Sequence, residues 1–106
     1  MAEGPTISTH VLDTERGMPG VAYAVSLYRV EDGESRLVGS GTTDEDGRIR
    51  RLMEGPLAAG EYRIEVEIGG AFFRRAALTF VVEDPDRSYH VPLLLSPFSL
   101  TTYRGS

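Results

Sequence analysis

Hydrophobic and polar residues alternate along most of this chain with the two-residue period that is typical of β-strands. The clearest run covers residues 61–68, where charged side chains alternate with apolar ones that would share an inner face: Tyr62, Ile64, Val66 and Ile68. Because one face is apolar and the other charged, this run predicts a half-buried antiparallel strand.

Seven further runs predict strands, and none of them has the 3.6-residue period of a helix. They cover residues 7–12, 21–28, 36–42, 48–53, 77–82, 89–95 and 100–104. The chain also contains 12 glycines and 6 prolines, many of them in the turns between these runs. Short strands divided by turn residues are typical of β-sandwiches and barrels. We therefore interpret the chain as an all-β, two-sheet antiparallel β-sandwich of about eight strands.

Alternation also predicts which side chains each strand buries. In the first strand, His10 falls on the face opposite Thr9 and Val11, and this would place it on a solvated face of its sheet. In the second strand, one face is apolar and is expected to lie in the core: Val21, Tyr23, Val25 and Leu27.

The composition suits a single domain that spans residues 1–106. The net charge of −5 argues against nucleic acid or an anionic membrane as the main partner. With no cysteine in the chain, disulfides and thiolate metal sites are excluded. No apolar run reaches the ~20 residues of a membrane span, and residues 1–5 do not have the pattern of a secretory signal. We therefore expect a cytoplasmic protein.

The two histidines, His10 and His90, are the first candidates for chemistry. Neither has carboxylates at a spacing diagnostic of a metal site, so we expect none. The acidic run at 43–47 lacks the ligand periodicity of a calcium loop, and we interpret it as a turn with its glycine at positive φ. Taken singly, both histidines and Arg48 are most simply explained as structural or surface side chains. Residue patterns alone therefore predict a soluble β-sandwich and do not identify an enzyme.

Read together, three segments resemble the transthyretin-like family, and specifically its enzymatic branch, the 5-hydroxyisourate hydrolases of urate breakdown. The segments are ISTHVLDT at 7–14 followed by GMP at 17–19, TDEDGR at 43–48, and YHVPLLLSP at 89–97 running to TTYRGS at 101–106. The resemblance covers essentially the whole chain. Its most specific part is the final YRGS, which the hormone-carrier transthyretins lack, as they lack both histidines.

The resemblance implies a hydrolase that opens the ring of 5-hydroxyisourate, a small-molecule substrate, by water attack at an amide-like bond. It implies that neither a metal nor an organic cofactor is required. Carried over by position, the catalytic residues would be His10, Arg48, His90 and Ser106, and the substrate-binding residues would be Arg48, Thr101 and Tyr103.

The roles of these residues follow from the same resemblance. His90 would activate the water, with Thr101 and Ser106 orienting it. His10 would bind or protonate the substrate, and Arg48 would stabilise the developing charge. Which of the two histidines acts as the base is left open.

The resemblance also implies two four-stranded sheets and a homotetramer, a dimer of dimers with its sites in a channel between the dimers. The chain departs from the family pattern at residues 68–74, where the segment is shorter and Arg74 stands in place of a proline. We expect the family's short helix at this point to be missing or reduced to a turn.

Two other classes of protein stay open at this stage. A non-catalytic carrier of the transthyretin type would bind small ligands in the same channel but would leave His10, Arg48 and His90 without a common purpose. An immunoglobulin-like structural module would be expected to be a monomer.

Overall fold

The computed structural model describes residues 4–105, which form an all-β sandwich, as predicted. The strands are β1 (Ile7–Asp13), β2 (Met18–Pro19), β3 (Ala24–Glu31), β4 (Glu34–Thr42), β5 (Arg48–Ile49), β6 (Gly60–Glu67), β7 (Arg75–Val82), β8 (Tyr89–Ser96) and β9 (Ser99–Thr102). No helix occurs within residues 4–105, so none is long and apolar enough to cross a membrane.

The strands form two sheets. Sheet I has the order β2–β1–β8–β9, with the short β5 also paired to β1, and sheet II has the order β4–β3–β6–β7. All pairs are antiparallel except β1 and β8, which run parallel from the Ile7–Tyr89 pair to the Asp13–Leu95 pair. The sandwich is therefore mixed rather than wholly antiparallel. A parallel pair needs a long crossover, which sheet II supplies here because its strands lie between β1 and β8 in sequence.

The core lies between the two sheets and contains apolar side chains from both. Its most deeply buried members include Ile7, Val11, Val25, Leu27, Tyr62, Ile64, Val66, Val82 and Leu93. Each side chain of this kind contributes roughly 1.5–3 kcal/mol on burial. The alternation predicted for 61–68 is confirmed at Tyr62, Ile64 and Val66, whereas Ile68 is only partly buried.

The predicted second strand was extended too far toward the N-terminus. Val21 was expected in the core, yet its side chain is 51% exposed, and β3 begins only at Ala24. The cause is a turn in which Ala22 has a φ of 68°. Buried Thr43 holds this turn, because its hydroxyl donates to the Gly20 carbonyl at 2.6 Å and accepts from the Tyr23 N–H at 2.8 Å.

The strand predicted at 48–53 is also shorter, since β5 ends at Ile49. Beyond it the chain turns inward and buries Leu52, whose N–H donates to the Ile7 carbonyl at 2.9 Å. The Leu52 carbonyl lies so close to Gly39 that a side chain there would collide with it. Burial of one leucine thus takes the place of further strand pairing.

The connection between β6 and β7 is a tight turn, as the shortened sequence predicts. The Ile68 and Gly69 N–H groups both donate to the Arg74 carbonyl at 3.0 Å, and the Gly70 N–H donates to the Phe73 carbonyl at 3.1 Å. Gly69 has a φ of 66°, a conformation that glycine adopts readily. The family's helix is therefore absent at this position.

Candidate active site

Three neighbouring strands of sheet I bring His10, Arg48 and His90 onto the same face. In the antiparallel β1–β5 pair, His10 lies opposite Arg48. In the parallel β1–β8 pair, Ser8 lies opposite His90. Residues that face each other across a strand pair share a face, and Ser8 and His10 share a face of β1. This face is turned away from the core, because Thr9 and the other alternate residues of β1 are the buried ones.

The acidic turn before β5 positions Arg48. Asp44 Oδ1 accepts hydrogen bonds from the N–H groups of Asp46 and Arg48, each at 2.9 Å. The bond from Arg48 is the main reason that the pKa of Asp44 lies below its ordinary value of 3.8. Gly47 has a φ of 78° and its carbonyl accepts from the Val11 N–H at 2.7 Å, which fixes the turn against β1. The run at 43–47 is therefore a structural turn that presents Arg48, as the sequence predicts.

The environment of His90 favours the uncharged form of its imidazole. Its pKa lies below the ordinary 6.5, first because burial penalises the charged ring, and then because the positive charges of Arg48 and His10 oppose protonation. Its Nδ1 is 2.8 Å from the Ser8 hydroxyl. A neutral imidazole with its other nitrogen available is the form that acts as a general base near pH 7.

An open cleft of about 390 Å³ lies beside this face, and its lining includes Ser8, Arg48, Arg50, Ser88 and His90. Its volume is in the range of small-molecule sites. The lining carries two guanidinium groups, and none of the described residues that line it is a carboxylate. The cleft is therefore suited to an electron-rich or anionic planar molecule.

The tail adds the backbone of Gly105 to this region. Beyond β9, the Gly105 N–H donates to the His90 carbonyl at 2.7 Å and forms an isolated bridge. Ser106, expected to be catalytic, lies outside the described residues 4–105. The strand predicted at 100–104 runs instead from Ser99 to Thr102.

The other two tail residues of the predicted site differ in their distance from His90 within one chain. Thr101 pairs with Leu94, which is four residues and roughly 13 Å along β8 from His90. Tyr103 is 57% exposed and lines a groove between β7 and the tail that His90 also lines. One chain therefore assembles His10, Arg48 and His90 on one face and places Tyr103 in a groove beside His90, but it does not bring Thr101 into that group.

Sequence reasoning missed Ser8, Gly105 and Arg50 as neighbours of His90. The alternation of β1 already placed Ser8 on the same face as His10, so part of the signal was present. The parallel register that sets Ser8 opposite His90 has no signature in the sequence. Among residues 4–105, no cluster of three or more metal-ligating side chains occurs.

Comparison with known sequences gives a family for the chain. Residues 7–105 match the model of the HIUase/Transthyretin family. The chain is 38% identical to a 5-hydroxyisourate hydrolase of Halalkalibacterium halodurans, and the match covers 94% of this chain and 97% of that protein.

Comparison with solved structures agrees. The 5-hydroxyisourate hydrolase of Klebsiella pneumoniae superposes with a TM-score of 0.84 at 35% identity, over 96% of this chain and 99% of that one. Sea bream transthyretin in complex with thyroxine superposes with a TM-score of 0.83 at 30% identity, over 93% of each chain. The matched sequence, the sandwich and the histidine-bearing face of sheet I agree on one assignment, and the chain belongs to the HIUase/Transthyretin family.

Proposed function

We propose that this protein is a 5-hydroxyisourate hydrolase that acts in urate breakdown. The observation that carries the proposal is the convergence of His10, Arg48 and His90 on one face of sheet I, beside a positively charged cleft. The hydrolases of Halalkalibacterium halodurans and Klebsiella pneumoniae, which match nearly the whole chain, support it. Family membership also removes the immunoglobulin-like alternative.

The proposed reaction is attack of water on a ring carbonyl carbon of the substrate. His90 removes a proton from the water as its oxygen bonds to carbon, and this forms a tetrahedral oxyanion. The ring C–N bond then breaks, and the leaving nitrogen takes up a proton, so that one water is added and the ring is opened. His90 suits the role of base because it lines the cleft and because its lowered pKa favours the neutral ring.

Arg48 and His10 then act on the substrate rather than on the water. Arg48 lines the cleft and presents a permanent charge with several N–H donors, which stabilise the oxyanion as it forms. His10 lies opposite Arg48 across the β1–β5 pair, where it binds the heterocycle or protonates the leaving nitrogen. No step of this scheme uses a metal or an organic cofactor.

We further propose that the active form is a homotetramer, a dimer of dimers, in which subunits share each site. The cleft is open to solvent in the single chain. Hydrolysis requires that access of water to the substrate ring be limited, so the cleft must be closed during the reaction. A second subunit over this face would close it and would offer a place for Thr101, which lies away from His90 in its own chain. Ser106 would orient the attacking water. The expected cytoplasmic location is part of the same proposal, and cell fractionation tests it.

The decisive experiment is a direct assay with freshly generated 5-hydroxyisourate, followed by the decay of its ultraviolet absorbance. We expect decay well above the spontaneous rate with the wild-type chain. His90→Asn should lose at least ~100-fold in rate, the usual scale for loss of a general base, while keeping the circular dichroism spectrum and oligomeric state of the wild type. Decay at the spontaneous rate with the wild-type chain would instead favour a non-catalytic carrier.

A further inference from the structure

We propose that Ser8 and Gly105 are positioning residues that hold the His90 imidazole from two sides and leave Nε2 for the cleft; this inference rests on the hydrolase function proposed above. Both residues are partly buried and come from opposite ends of the chain. Sheet I brings them to His90, Ser8 through the parallel pair and Gly105 through the tail bridge.

Ser8 holds the first side of the ring. Its hydroxyl is 2.8 Å from Nδ1 of His90, a normal hydrogen-bond distance, and the contact is partly buried. The two residues are direct partners in the β1–β8 pair, so the backbone of two strands fixes their separation. The flanking residue Thr9 strengthens this register, because its hydroxyl donates to the Val91 carbonyl at 2.6 Å.

Gly105 holds the opposite side. A Cβ placed on Gly105 would lie 2.6 Å from Cδ2 of His90 and 3.2 Å from Cγ, so only a glycine lets the tail pass this close to the ring. The tail is held there by the 2.7 Å bond from the Gly105 N–H to the His90 carbonyl. With Nδ1 against Ser8 and Cδ2 against Gly105, the ring atoms left for the cleft are Cε1 and Nε2.

The choice of a hydroxyl as the partner of Nδ1 has a chemical consequence. In the proposed arrangement the Ser8 hydroxyl accepts the hydrogen bond from Nδ1–H, which corresponds to the tautomer whose Nε2 is unprotonated and basic. A carboxylate in the same place would also raise the pKa of the ring. The charged groups that act on the ring are Arg48 and His10, with Arg50 on the cleft wall, whereas Arg104 of the tail stacks on Tyr89. Arg48 and His10 oppose protonation of His90, and Ser8 orients the ring without offsetting them.

The first test is the tautomer of His90, measured by ¹⁵N chemical shifts of the imidazole nitrogens, with the His90→Asn spectrum used for assignment. In the wild type at neutral pH we expect Nδ1 to carry the proton. In Ser8→Ala the population should shift toward the Nε2–H form, and Ser8→Thr should restore the wild-type shifts. A wild-type ring protonated on Nε2, or a Ser8→Ala ring with unchanged shifts, would overturn the role of Ser8.

The second test is kinetic. Ser8→Ala and Gly105→Ala should each lower kcat about tenfold, the factor expected for loss of one orienting contact, with KM changed less than about twofold. Ser8→Thr should stay within about threefold of the wild type. Ser40→Ala on sheet II and Gly4→Ala, where a Cβ meets nothing within 4 Å, are matched controls and should leave kcat unchanged. Equal kcat in the wild type and both test variants would contradict the proposal.

The two tests separate this inference from the proposed function. If the wild-type chain does not hydrolyse 5-hydroxyisourate, the proposed function fails. The ¹⁵N shifts of the wild type and Ser8→Ala still decide whether Ser8 fixes the ring, because that measurement needs no substrate.

Discussion

At the scale of the residue, His90 differs from an ordinary surface histidine because its surroundings disfavour protonation of the imidazole. Partial burial penalises the imidazolium, and the charges of Arg48 and His10 add to that penalty. All three causes act in the same direction. The neutral form of the ring therefore persists to lower pH than that of an exposed histidine.

This balance predicts the pH profile of the reaction. Because the pKa of His90 lies below the ordinary 6.5, its basic form persists to lower pH, and kcat/KM should fall on the acid side with a midpoint below 6.5. Steady-state rates between about pH 4.5 and about pH 8, corrected for spontaneous decay, provide the measurement, since this interval extends roughly two units below and about 1.5 units above the ordinary histidine pKa.

The same profile has an internal control. Arg48→Gln removes one of the positive charges that oppose protonation, so the acid midpoint should move upward even though the overall rate falls. An acid midpoint above 6.5 in the wild type, or one that moves downward in Arg48→Gln, would show that another group controls the acid limb.

At the scale of the element, the tail after β9 contributes little to the fold. Within the described part of the chain, its contacts include one backbone bond from Gly105 to His90 and the stacking of Arg104 over Tyr89, with 4.6 Å between the guanidinium carbon and the ring centroid. An exposed cation–π pair and a single hydrogen bond each contribute on the order of 1 kcal/mol. The tail also places Gly105 against the His90 ring, so its effect on activity should exceed its effect on folding.

Deletion of residues 103–106 tests this division. We predict a loss of at least ~100-fold in kcat, since the ring loses one of its two supports along with Ser106, which is proposed to orient water. The free energy of unfolding should fall by only about 2 kcal/mol, the sum expected for the two lost contacts. Urea denaturation and the absorbance assay measure the two quantities. An unchanged rate would rule out a catalytic tail, and a chain that no longer folds would contradict the small stability effect.

The elements themselves were predictable where a local pattern determines them. The alternation at 61–68, the glycine turn at 43–47 and the short connection at 68–74 are each set by residues close in sequence. The failures involve long-range packing. Val21 lies outside the core because Thr43, a residue distant in sequence, stabilises a turn there. β5 is shorter than predicted because Leu52 is buried in the core.

Prediction of the candidate site from the sequence is limited in the same way, because it also depends on long-range packing. His10, Arg48 and His90 were predicted from the resemblance to a family, because spacing along the chain gives no sign that they meet. Ser8 and Gly105 required the register of β1 against β8 and the bridge from the tail, which exist only in the folded chain. Alternation predicts which face of its own strand a side chain occupies. Only the pairing of the strands determines which side chains of the neighbouring strand lie beside it.

At the scale of the whole molecule, the single chain leaves apolar surface uncovered. Phe72 and Phe98 are 62% and 76% exposed although their ring centroids lie 5.7 Å apart, and Val81 on β7 is 57% exposed. Phe72 and Phe98 thus form an exposed apolar pair, and such groups are typical of surfaces that bind another protein. Together with the open cleft, they support the proposed homotetramer, in which subunits cover one another's exposed faces.

If subunits share the site, activity must depend on protein concentration. We predict that specific activity is constant while the tetramer is intact and falls when dilution dissociates it. The loss of activity and the dissociation should occur at the same protein concentration, because association of the subunits is what closes the cleft. Native mass spectrometry or mass photometry would give the oligomeric state across the dilution series, and the absorbance assay the rate. A chemically cross-linked tetramer is the control, and its specific activity should stay constant over the same range. Full specific activity in a monomer would show that one chain holds a complete site, and Thr101 would then have no part in the chemistry.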